Sequence, residues 1–191
     1  MSDDGLSDRR RASEEEYFRK RDQQLVEHLR IQAEREAARG RLSQRVGVAD
    51  DEVLQDLETL GFSDQTVSLL PMVPLVHVGW ADGGMAASAA QRIMEASREH
   101  GIEELSDAGR QLREWLESRP SEHLFDGALQ AIRTVLQHQS ISEPELYVRN
   151  LLTQSTDVAA ASGGVLGFGK ISKNERAILD RISRELESAG S

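Results

Sequence analysis

Gly164-Val165-Leu166-Gly167-Phe168-Gly169-Lys170 has the Gly-x4-Gly-Lys spacing in which backbone amides and a lysine cradle phosphate. That chemistry also needs a Ser or Thr next, to hold Mg²⁺, and a β-strand leading in. Here Ile171 follows and an alanine-rich helix precedes. The segment therefore reads as a glycine hairpin, with Gly164, Phe168 and Lys170 offered to a partner or tucked onto the bundle. The histidines His28, His77, His100, His123 and His138 contain no pair three or four apart and no Glu-bearing zinc signature. His77 lies in an apolar run and is expected as a core side chain bonded to a backbone carbonyl. Glu103-Glu104 and Glu143/Glu145 fall at helix starts, where carboxylates offset the helix dipole instead of passing protons. The chain has no cysteine and no Gly-x-Ser-x-Gly nucleophile turn. No catalytic residue is predicted, and the expectation is a protein that is not an enzyme.

The elements that must position these residues are helices. With 191 residues, 38% hydrophobic and only 4% aromatic, the chain can bury one modest core of aliphatic and alanine side chains. No convincing stretch alternates with period two, so the fold class is all-α. Residues 1–12, small, polar and charged, read as a disordered tail. Ser13, with Glu16 three residues on, forms a capping box that opens a long charged helix, supported by Glu15–Arg19 and Glu16–Lys20 at i, i+4 and stopped at Gly40. This gives a helical arm over 13–45 and a bundle of about seven helices over 46–191. In the bundle, Asp50 caps a helix carrying Val53, Leu54 and Leu57 that Gly61 ends. Pro71 and Pro74 restart the chain into a short apolar helix over 73–81, the most buried of all. A helix over 86–100 closes at Gly101, and Ser106 caps the next, with Leu112, Trp115 and Leu116 inward; Trp80 and Trp115 read as core anchors. Phe125, Leu129, Ile132 and Leu136 mark another, and capping boxes at Ser142-Glu143-Pro144-Glu145 and Ser172-Lys173-Asn174-Glu175 open the last two.

Charge is unevenly placed. Residues 9–45 hold eleven basic against seven acidic side chains, a net of +4, whereas residues 46–191 hold twelve against twenty-three, a net of −11. An acidic body repels phosphate, and the arm interleaves Glu with Arg and lacks a stacking platform, so nucleic-acid binding is not expected. No apolar run reaches the ~18 residues that cross a bilayer. With no signal-peptide pattern and no cysteine, a cytoplasmic protein is expected.

Val78-Gly79-Trp80-Ala81-Asp82-Gly83-Gly84 and Val158-Ala159-Ala160-Ala161-Ser162-Gly163-Gly164 share the frame Val-x-x-Ala-[Asp/Ser]-Gly-Gly at an offset of 80. Each frame ends an apolar helix and leads into another, which predicts two related helix-turn-helix units in one bundle. The frame, with Ile171-Ser172-Lys173-Asn174-Glu175-Arg176, resembles the tellurite-resistance TerB-like family over roughly residues 63–186. The resemblance implies a compact bundle of about seven helices with pseudo-twofold halves, a non-enzymatic, stress-associated role, and a metal patch built from acids of the two turns. Of that patch this chain keeps Asp82 and Glu175, while Ser162 stands in the second Asp position. Two carboxylates would make at best a weak divalent-cation site, because Ca²⁺ and Mg²⁺ want about six oxygens or more. Otherwise Asp82 caps a turn and Glu175 completes its capping box.

The arm sequence Glu14-Glu15-Glu16-Tyr17-Phe18-Arg19-Lys20-Arg21, followed by Leu25 and Leu29, is similar to the inhibitory helix of the mitochondrial ATP-synthase inhibitor family. That resemblance implies a helix that inserts between subunits of an ATPase. The residues themselves give an amphipathic helix whose Glu16, Tyr17, Phe18, Arg19, Leu25 and Leu29 would meet a protein partner, or a second copy in a homo-oligomer. The leading expectation is an interaction module, with an inhibitor-like regulator and a metal-binding protein centred on Asp82 as the alternatives.

Overall fold

The computed structural model describes residues 4–138, 143–163 and 171–187, with side chains from residue 16 onward. Among the described residues there are helices and no strands, as expected. They are α1 (Asp4–Val46), α2 (Asp51–Thr59), a 3-10 turn (Val67–Leu69), α3 (Met72–Gly79), α4 (Ala87–Glu99), α5 (Asp107–Glu117), α6 (Glu122–His138), α7 (Pro144–Ser162) and α8 (Lys173–Glu187). Two compact units divide the chain, Met1–Gly40 and Arg41–Ser191.

Three boundaries differ from expectation. α1 starts at Asp4, so residues 4–12 are helix where a disordered tail was expected, and Ser13 lies inside the helix instead of capping it. Arg9-Arg10-Arg11-Ala12 are good helix formers with no proline among them, so the turn of acids that follows extends a helix already begun. At the other end Gly40 does not stop α1, which runs on to Val46, and Gly47 with φ 71° is the turn. Leu42 and Val46 are buried in the core of the second unit, so the bundle begins at Arg41 and not at residue 46. Packing of these two side chains outweighs the roughly 1 kcal/mol that one helical glycine costs. At the start of α7 the N-cap is Glu143, with Pro144 in the first helical position, and Glu143 makes no side-chain cap bond. The Ser142 of the expected capping box lies outside the described residues.

The other starts are built as the sequence indicates. Asp50 accepts from the amides of Glu52 (2.9 Å) and Val53 (3.3 Å), and Gly61, at φ 87°, ends α2. Ser106 Oγ accepts from Gly109 N at 3.1 Å. Ser172 and Glu175 close a reciprocal box: Glu175 N donates to Ser172 Oγ (3.1 Å) and Ser172 N to Glu175 Oε2 (2.7 Å). All eight residues of α3 are buried, and α3 packs on α4, α6, α7 and α8. The tryptophans stand at the edge of this core. Trp80 Nε1 donates to the Trp115 carbonyl at 2.8 Å, and Trp115 meets Phe62 edge to face at 6.3 Å.

Candidate functional site

The expected internal echo has a counterpart in how the helices meet. α3 packs on α7, α3 on α4 and α7 on α8, and the cross contacts α4 with α7 and α3 with α8 are those that an exchange of the two helix pairs would interconvert. Hydrogen bonds follow the same exchange. Ser88, in the first turn of α4, donates to the Ala161 carbonyl at the end of α7 (2.7 Å). Ser172 and Asn174, at the start of α8, donate to Asp82 Oδ1 in the turn after α3 (3.1 and 2.8 Å). Each pair thus satisfies polar groups left over at the end of the other.

The two acids singled out in the sequence therefore converge on Ser172, whose hydroxyl bonds Asp82 and whose amide bonds Glu175. Asp82 is exposed, Glu175 is buried, and the donors around them are neutral. Among the described residues no three His, Cys, Asp or Glu side chains group to hold an ion. What the arrangement does chemically is fasten the α3–α4 turn to the α8 N-terminus. Asp82→Ala should lower urea-unfolding stability by about 1 kcal/mol, equally with and without millimolar Ca²⁺. A loss seen only with Ca²⁺ would assign the carboxylate to a cation.

His77 is buried, and among the described residues no backbone carbonyl accepts from its ring. Its ring stacks on Phe125 with centroids 4.1 Å apart and planes within 5°. The Arg119 guanidinium lies 5.3 Å from the centroid of the same Phe125 ring and pairs with Glu122; Arg181 pairs with Asp126 (2.7 Å) and Glu185 (2.9 Å). Burial lowers the imidazole pKa to about 4, with Arg181 and Arg119 reinforcing and Glu122 and Asp126 opposing. No local pattern announces this polar border, because its charges come from two distant segments, 119–126 and 181–185.

The first unit presents a different surface. On α1 the side chains of Tyr17, Phe18, Leu25, Val26, Leu29 and Ile31 are 40–65% exposed. Tyr17 and Phe18 meet edge to face at 5.9 Å, and Lys20–Glu16 (2.8 Å) and Arg30–Glu34 (2.9 Å) are i, i+4 pairs. At 100° per residue Phe18, Leu25 and Leu29 fall within one stripe, with Arg19 and Arg21 on opposite flanks. Tyr17 lies on the flank of Arg21, and Glu16 on the opposite face of the helix. Gly164, Phe168 and Lys170, expected in a glycine hairpin, lie outside the described residues. Among the described residues no helix is long and apolar enough to cross a membrane. No family model, curated protein or solved structure matches this chain.

Proposed function

We propose that this protein is a non-catalytic interaction module of the TerB-like kind, acting in the cytoplasm, which binds a protein partner by presenting residues 16–31 as an amphipathic helix. The observation that carries this reading is the run of six large apolar side chains left exposed along α1. Isolated exposed apolar residues are ordinary, but a clustered stripe on a helix marks a surface that gains by being covered. The stripe is three side chains long, too short for a self-sufficient coiled coil, and suits insertion into a preformed groove. The exchange relation between α3–α4 and α7–α8 supports the TerB-like part of the proposal.

The test is affinity capture from native lysate by the full chain and by the Leu25→Asp/Leu29→Asp variant, with circular dichroism to show that the variant keeps its helix content. Truncation of the arm must stop at Gly40, since Leu42 and Val46 belong to the core. Capture should fall more than about tenfold in the variant, as expected for loss of two buried leucine anchors. An unchanged set of captured proteins would overturn the arm as the docking element.

A further inference from the structure

The second unit contains a groove that the sequence did not announce. It runs along α7, between the end of α6 and the end of α8, with a volume of about 610 Å³ and a floor of Leu136, Pro144, Val148, Leu152 and Leu186. Its rim carries Glu145, Arg149 and Glu187, and Asp157 closes one end, where Arg92 pairs with it at 2.8 Å. From Pro144 to Asp157 this wall is about 20 Å long at the α-helical rise.

The groove and the arm stripe are complementary in three respects. Phe18 to Leu29 spans about 16 Å of helix, which fits within the groove's length. Apart from Asp22 at its edge the stripe is apolar, and so is the floor. At the contact itself, Arg19 and Arg21 would flank the stripe, and acids outnumber bases on the rim. Opposite charge at a rim steers encounter and selects register, while the apolar centre supplies the burial.

We infer that the partner of the arm is the α6–α7–α8 groove of a second copy of this chain, the two copies exchanging arms reciprocally. Reciprocal exchange is isologous, so it closes as a twofold dimer and doubles a contact that is small when made once. The inference rests on the arm being a docking helix, as proposed above, and adds the identity of the surface that receives it.

Charge reversal tests it without disturbing the core, because Arg19, Arg21, Glu145 and Glu187 are all exposed. The weight-average mass of the full chain, followed by sedimentation equilibrium, should climb with concentration from 21.2 kDa toward twice that value. Arg19→Glu/Arg21→Glu and Glu145→Lys/Glu187→Lys should each weaken self-association by about tenfold or more. The protein carrying all four substitutions, in which both rims are reversed together, should recover most of that loss. A chain that stays monomeric at every concentration overturns the inference. If L25D/L29D still abolishes capture of another protein in that case, the docking helix stands and only the identity of its partner fails. Self-association weakened by the arm pair but untouched by the groove pair means that arms pair with arms, and this also overturns the inference. Self-association that survives L25D/L29D likewise overturns the inference, and the arm's docking role then falls only if capture of other proteins is also unchanged.

Discussion

Gly109→Ala should lower the melting temperature by roughly 10 °C, a loss of about 3 kcal/mol, without change in the helices that far-UV circular dichroism reports at low temperature. Gly109 sits in the first turns of α5, and a methyl group there would stand 2.3 Å from the carbonyl oxygen of Glu103 and 2.6 Å from that of Glu104. Those oxygens belong to the backbone of the loop that leads into Ser106, whose hydroxyl donates to the Glu103 carbonyl at 2.6 Å and caps α5 through Gly109 N. No rotamer change relieves the clash. The loop must move, and the cap with it. Two other glycines serve as controls. At Gly127 the added methyl meets the Leu60 side chain at 2.4 Å, which can turn aside at smaller cost, so the loss should be nearer 1 kcal/mol. At Gly40, inside α1, a methyl meets nothing within 4 Å, so alanine should stabilise the helix by up to about 1 kcal/mol. Equal effects at the three positions would remove the steric account.

The second large effect is on pH dependence. With the His77 imidazole pKa lowered to about 4 in the fold, and near 6.5 when the chain is unfolded, both states are neutral at this site above pH 7 and the site contributes no slope. As pH falls below 6.5 the unfolded chain takes up a proton that the folded chain refuses, so stability falls by about 1.4 kcal/mol per pH unit. The decline ends near pH 4, where the folded imidazole also accepts its proton, and the full loss is about 3 kcal/mol. Glu122 and Asp126 favour that proton, Arg119 and Arg181 oppose it, and burial under Phe125 decides. His77→Phe keeps a ring of similar size on Phe125 and should flatten the profile between pH 5 and 7 in urea titrations. If the wild-type slope persists in the variant, the titrating group is elsewhere.

Most helix starts were legible because a cap is a local event. Asp50, Ser106 and the Ser172–Glu175 box each lie within three residues of the amides they satisfy, and periodic apolar residues followed them. What local reading missed was decided at a distance. Gly40 looks like a stop until Leu42 and Val46 are seen to be buried. Nothing near Asp82 in the sequence shows that Ser172 and Asn174, 90 and 92 residues away, donate to its carboxylate. His77 was legible as a core side chain, whereas its stacking on Phe125 and its border of Arg119 and Arg181 required the packing of α3, α6 and α8. The groove along α7 was invisible for the same reason, being a space between three helices that no residue pattern encodes.

The central burial of α3 bears on how the protein is made. Of its four helical neighbours, one follows it directly and three, α6, α7 and α8, come later in the chain. Synthesis runs from the N-terminus, so this apolar segment leaves the ribosome long before the surfaces that cover it exist. The contacts of α3 with α6, α7 and α8, and the cross-caps, are completed only once α8 has been made. A nascent chain halted between α5 and α6 would leave open to solvent the faces of α3 that α6, α7 and α8 cover, the kind of uncovered apolar surface that favours aggregation.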